Sequence, residues 1–170
     1  MPAGFVFAVK VSRYITHVKR LRDLGDPVRR FRACIEPLRP GGPFLWQLPP
    51  KFPRDDERLR ATLASLPAEE RHAFEFRHAT WFDDDVYELL RNHGVALVLT
   101  GEREVFTAPW TYVRFHRGVR GRRGNYSESE LREWADRIRG WRADVYAYFN
   151  NDWEAFAVKN AARLRELVYA

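Results

Sequence analysis

Residues 111–117 read T-Y-V-R-F-H-R. Tyr112, Val113 and Phe115 have the character of a buried strand, whereas Arg114 and His116, two positions apart, share one of its faces. Such a strand needs an apolar cover on one side and something polar on the other.

Outward from this stretch the same pattern recurs. Six short strands are expected: Phe5–Lys10 (FVFAVK), Pro43–Leu48 (PFLWQL), Ala73–Arg77 (AFEFR), Val95–Thr100 (VALVLT), Thr111–His116 (TYVRFH) and Val145–Asn150 (VYAYFN). Between them, apolar residues repeat at helical spacing. The stripes are Val28, Phe31, Ile35 and Leu38; Leu59, Leu63 and Leu66; Phe82, Val86, Leu89 and Leu90; and Leu131, Trp134, Ala135 and Ile138. A last stripe runs from Trp153 and Phe156 through Ala157, Asn160, Ala161, Leu164 and Leu167 to Val168. Asp26-Pro27 reads as a cap before a proline at the first helical position, and Ser127-x-x-Glu130 as a capping box. Asn151 and Asp152, with Glu154 following, are expected to cap the last helix, and Gly94 and Gly140 to close two others.

Strands alternating with helices predict an α/β fold with a parallel sheet, either open and doubly wound or closed into a barrel. No G-x-G-x-x-G follows the first strand. Strand parity favours the barrel. Lys10, Gln47, Glu75 with Arg77, Arg114 with His116, and Asn150 all fall at or near C-terminal strand ends, opposite apolar faces such as Phe74 with Phe76 and Val113 with Phe115. In a TIM-type βα barrel such groups line the interior and the rim that carries active sites. An internal salt-bridge network without chemistry is the plainer reading of the same pattern.

The 170 residues suffice for one domain with a sizeable core, and no linker or low-complexity segment divides them. No apolar run approaches the roughly 18 residues of a membrane span, and Met1-Pro2-Ala3-Gly4 carries no charged leader region, so a cytoplasmic location is the default expectation. The single cysteine, Cys34, excludes an internal disulfide; its place beside Ile35 predicts a buried core thiol. The net charge of +6, mostly from arginine, points to anionic partners, although a high-GC genome favours arginine codons in any case.

Several runs together resemble one family: F-A-V-K-V-S-R-Y-I-T-H (7–17), F-L-W-Q-L-P-P-K-F (44–52), E-F-R-H-A-T-W (75–81), T-A with Y-V-R-F-H-R-G (107–118), Y-S-E-S-E-L (126–131), Y-F-N-N-D (148–152) and K-N-A (159–161). The chain resembles the YecE-like family, domain of unknown function 72, over essentially its whole length. The resemblance implies a TIM-type βα barrel and no assigned reaction. It also implies two further N-terminal βα units, so that residues 1–170 are expected to form six units of an eight-unit barrel, with open edges at the first and last strands.

Glu75 and His116 are the candidate acid–base pair. Arg77 and Arg114 suit an anionic group through forked hydrogen bonds, Lys10 adds a second anion contact, and Gln47 and Asn150 would orient a substrate. His17, His72, His78, His93 and His116 show no metal-ligand spacing, so no metal site is expected; the sequence does not reveal which cofactor, if any, is used. Trp46, Trp81, Trp110 and Tyr126 suit core filling more than stacking on a ligand. The loop Arg117–Gly124, R-G-V-R-G-R-R-G, reads as an anion clamp or as a solvated loop. The leading expectation is a pocket for a phosphorylated or acidic small molecule. The alternatives are a nucleic-acid binder and an inactive truncated fragment.

Overall fold

The computed structural model describes residues 5–38, 41–101 and 103–170; Met1–Gly4, read above for leader charge, lie outside them. The chain falls into two compact units, Met1–Val98 with Val105–Ala108, and Leu99–Glu104 with Pro109–Ala170.

The first unit is built from β1 (Phe7–Lys10), α1 (Gly25–Ile35), β2 (Gly41–Gln47), α2 (Asp56–Ala64), β3 (His72–Glu75), α3 (Asp84–Asn92) and β4 (Ala96–Leu99). Its strands pair in parallel and in sequence, β1 with β2, β2 with β3 and β3 with β4. The register shifts between Phe7 and Val9, where a Cβ on Gly42 would meet the Phe7 carbonyl oxygen at 2.7 Å. Only a glycine lets the two backbones approach that closely.

Large rings fill this core. Trp46 stacks on Phe74 at 5.4 Å and Phe76 on Trp81 at 4.7 Å, all four buried. The Trp81 indole N–H donates to Phe52 O at 2.8 Å, so its polar edge is satisfied inside. Thr107 is buried beside β4. Its hydroxyl donates to Val95 O and accepts from Leu97 N, both at 2.7 Å, and so satisfies two backbone groups at the strand.

The second unit holds β5 (Trp110–Phe115), α4 (Glu128–Gly140), β6 (Asp144–Phe149) and α5 (Phe156–Tyr169). β5 and β6 run parallel from Trp110 opposite Asp144 to Phe115 opposite Phe149. The expected alternation of faces is present. Phe115 stacks on Phe149 at 4.4 Å, with Tyr126 and the α4 residue Trp134 edge-on. On the other face Tyr112 stacks on Tyr148 at 4.6 Å.

Caps explain where the helices start. Ser127 and Glu130 form the expected capping box. Gly94, at φ 63°, closes α3, with Gly94 N donating to Arg91 O and Val95 N to Leu90 O. Three expectations are corrected. α1 begins at Gly25, and Leu24 holds the cap position without a side-chain bond; Asp26 lies inside the first turn and pairs with Arg29. Proline is tolerated throughout that turn because its missing N–H has no partner there, so Pro27 does not mark the first residue. Cys34 is exposed, since it lies off the Val28–Phe31–Ile35 stripe that α1 turns inward.

The third correction concerns α5. A short turn, Trp153–Ala155, precedes it, with Glu154 at φ 50° and Ala155 at φ 58°. Each left-handed residue costs roughly 1–2 kcal/mol. Neither Asn151 nor Asp152 caps the helix with its side chain: Asp152 makes no such bond, and the Asn151 amide donates instead to Asn160 Oδ1 at 2.8 Å and Gly124 O at 3.1 Å. Trp153, placed by spacing on the apolar stripe, stands in the turn at 57% exposure.

His72, buried at the start of β3, accepts from the Trp46 indole at 3.2 Å through Nδ1, so Nε2 carries its proton. Nε2 lies 3.3 Å from Glu70, out of line for a good hydrogen bond, and Glu70 is held in turn by Arg32. Desolvation outweighs the pull of Glu70 and lowers the His72 pKa from 6.5 to about 4.

Two outcomes are expected. Thr107→Val should lower stability by about 1–3 kcal/mol, because two buried backbone groups lose their partner, and Thr107→Ser should recover most of it in urea melts. The unfolded chain takes up the His72 proton more readily, so its contribution of about 3 kcal/mol at most is full above pH 6.5 and lost as pH falls toward 4. His72→Gln should flatten that part of the pH–stability curve; an NMR titration of His72 near 6.5 would contradict it.

Candidate functional site

At the C-terminal ends of three adjacent strands the first unit brings together Lys10, Gln47, Glu75 and Arg77. Parallel register does this: Lys10 stands opposite Leu45, and Gln47 opposite Glu75. The alternation that turns Trp46 and Phe74 into the apolar core turns Gln47 and Glu75 the other way.

The contacts are continuous. Lys10 Nζ donates to Gln47 Oε1 at 2.8 Å, and Gln47 Nε2 donates to both Glu75 carboxylate oxygens at 2.9 Å. Arg77 Nε donates to Glu75 Oε1, also at 2.9 Å. The cation on one side and the carboxylate on the other fix which way the Gln47 amide points. Glu75 is 3% exposed and Gln47 6%, whereas Lys10 is exposed and the Arg77 side chain is 41% exposed. A buried carboxylate therefore lies beneath two cations that reach solvent.

His17 joins this end. It sits on a single π-helical turn, Tyr14–Val18, closed by Lys19 N donating to Tyr14 O at 2.8 Å and anchored by buried Ile15 and Thr16. Such turns are frequent at functional sites. Its Nδ1 lies 2.9 Å from Thr16 Oγ1. Burial, then the charges of Arg13, Lys10 and Arg77, hold the imidazole below its ordinary pKa of 6.5. Sequence reasoning considered His17 only as a metal ligand and missed this placement. The signal available was its place at the end of the run F-A-V-K-V-S-R-Y-I-T-H.

Nearby loops are cross-linked. Arg54 pairs with Asp56 at 2.6 Å, Asp83 at 2.9 Å and Asp85 at 3.4 Å, and its backbone N–H donates to Thr80 Oγ1 at 2.8 Å. These bonds tie the loop after β2 to the loop after β3. Among the described residues no group of three or more His, Cys, Asp or Glu side chains could hold a metal ion.

The second unit has its own polar end. Arg114 Nε and Nη2 donate to Asn150 Oδ1 at 3.1 and 2.9 Å, beyond the Tyr112–Tyr148 stack. Desolvation pushes the Tyr148 hydroxyl up to about 12. His116 follows β5 and is exposed. Glu75 and His116, paired as acid and base from the sequence, thus belong to different units. Trp46, Trp81, Trp110 and Tyr126 are all buried, as core residues.

Over residues 1–170 the chain matches the family described as "Protein of unknown function DUF72". The chain belongs to the DUF72 family. A curated relative is the UPF0759 protein YecE of Escherichia coli strain K12, 36% identical over 93 residues; the match takes in 54% of this chain and 34% of the relative, so the chain spans about a third of that protein's length. Two solved DUF72 structures share the fold. The Thermotoga maritima MSB8 protein aligns over 100% of this chain and 76% of its own, at 29% identity and a TM-score of 0.86. The Enterococcus faecalis V583 protein aligns over 99% and 76%, at 18% identity and a TM-score of 0.78. Among the described residues no helix is long and apolar enough to cross a membrane.

In this DUF72 chain Gln47 bridges a buried carboxylate to an exposed ammonium. Gln47→Leu should cost about 2 kcal/mol or more, since both oxygens of the buried Glu75 lose the amide that donates to them. Lys10→Met should cost under about 1 kcal/mol, because its charge is exposed. Urea titration of both variants checks the order, and equal losses would contradict it.

Proposed function

We propose that the C-terminal ends of β1, β2 and β3 form a seat for a small anionic molecule, phosphorylated or acidic. Lys10 and Arg77 are the cationic contacts, and Gln47 and the buried Glu75 fix their positions. The observation that carries this reading is that Lys10 and Arg77, both reaching solvent, are held at adjacent strand ends by Gln47 and the buried Glu75; after burial, they and Arg13 also oppose protonation of His17. A bound anion would relieve that opposition. Glu75 is the candidate proton carrier of this unit. In the second unit His116 is the candidate proton carrier, and Arg114 and Asn150 are the candidate contacts for an anionic group. A TIM-type βα barrel belongs to the same proposal. It is supported by consecutive parallel pairings within each unit and by a helix after each of most strands. Such an anion seat serves binding and catalysis alike.

Inorganic phosphate is the simplest probe. It should raise the melting temperature: at tenfold over its dissociation constant it adds about 1.4 kcal/mol, or roughly 3–6 °C for a chain of this size. It should also raise the His17 pKa in an NMR titration, so binding should tighten as pH falls through that pKa. Arg77→Gln should abolish most of both effects. If phosphate moves neither quantity, or moves both equally in Arg77→Gln, the seat is not there.

A further inference from the structure

The loops after β5 and β6 carry features that the anion seat does not use. We infer that they form a surface for single-stranded nucleic acid, with Trp153 as the platform for a base and Arg117, Arg120, Arg123 and Lys159 as phosphate contacts.

The backbone beneath this surface is fixed from inside. Gly118 N donates to Gly124 O at 3.0 Å. The buried Glu130 carboxylate accepts from Val119 N, Arg120 N, Ser127 N and the Ser127 hydroxyl. A Cβ on Gly121 would lie 1.4 Å from the Asn125 carbonyl oxygen, so the loop folds tightly on its own stem. With the Val119 and Arg120 amides taken by Glu130, the loop offers an anion its side chains and not these N–H groups. Arg117, Arg120 and Arg123 are exposed. Residues 117–124 hold four arginines and no acidic residue.

The neighbouring turn is tied to this loop. The Asn151 amide donates to Gly124 O, and Arg123 bonds Glu154 at 3.1 Å. The Arg123 guanidinium lies 5.4 Å from the Trp153 ring centre, and the indole N–H donates to Glu154 Oε1 at 3.1 Å. The left-handed pair Glu154–Ala155 thus holds a large ring in water, where it gains little from burial. Lys159 is exposed one turn into α5.

Aromatic rings beside cations are the chemistry by which single strands are held: bases stack and phosphates pair. The existing pairs Arg120–Glu133 and Arg123–Glu154 are solvent-exposed and weak, so phosphate can replace them readily. A neutral sugar would use Trp153 and leave the arginines idle.

The full chain is titrated with a fluorescent oligonucleotide of about 12 thymidines and read by anisotropy at two salt concentrations. Binding is expected, weakening with salt at a log–log slope of about −2 or steeper, as three or more phosphate contacts require. Trp153→Ala should weaken it about tenfold or more, whereas Trp153→Phe should retain most of it. Arg117→Gln with Arg120→Gln should flatten the slope by about 1.4. All three residues are exposed, so unchanged melting temperatures verify the variants. These variants also leave the phosphate effect at Arg77 intact, which separates the two sites. The inference is overturned by absence of binding at low salt, by indifference to Trp153→Ala, by a preference for duplex, or by equal retention of a mononucleotide or a neutral oligosaccharide.

Discussion

A carboxylate withdrawn from water at the end of β3 governs how the rest of the first unit can be arranged. Glu75 cannot be buried alone, because an unpaired charge in that position costs several kcal/mol. Gln47 and Arg77 therefore have to reach it, which fixes the register of β2 against β3 and the exit of the chain after Glu75. Lys10 then follows from the amide of Gln47, whose oxygen needs a donor. One buried charge thus aligns three strand ends, and the aromatic core behind them, Trp46 on Phe74, is the reverse side of the same alternation.

Membership of DUF72 brings a fold without a reaction, and the functional reading has to come from side chains. The two units present different chemistry. The first offers cations over a buried, hydrogen-bonded carboxylate beside an imidazole of lowered pKa. The second offers arginines on a loop hydrogen-bonded to its own stem and to Glu130, an exposed indole, and Arg114 held against Asn150.

Much of this was legible in the sequence, and what was not has a common cause. All six strands were found within two residues, because β-branched and aromatic runs bounded by polar loops have few other readings. Strand parity, a geometric rule, gathered seven polar residues; hydrogen bonds link Lys10, Gln47, Glu75 and Arg77 in the first unit, while Arg114, His116 and Asn150 belong to the second. The misses came where contacts distant in sequence decide. Asn151 looked like a cap, but its amide is claimed by Asn160 and Gly124, nine and 27 positions away. Cys34 neighbours Ile35 in sequence yet lies off the inward stripe. His17 was weighed only as a metal ligand, because its burial and two of the three cations that lower its pKa, Lys10 of β1 and Arg77 beyond β3, depend on the folded chain.

The exposure of Cys34 has a practical side. It is the sole thiol of the chain, and it lines a cleft of about 830 Å³ bounded also by Tyr14, Lys19, Arg30 and Phe31. A maleimide dye or nitroxide would attach at this one position without mutagenesis, giving a spectroscopic reporter on α1 that leaves both polar strand ends chemically untouched.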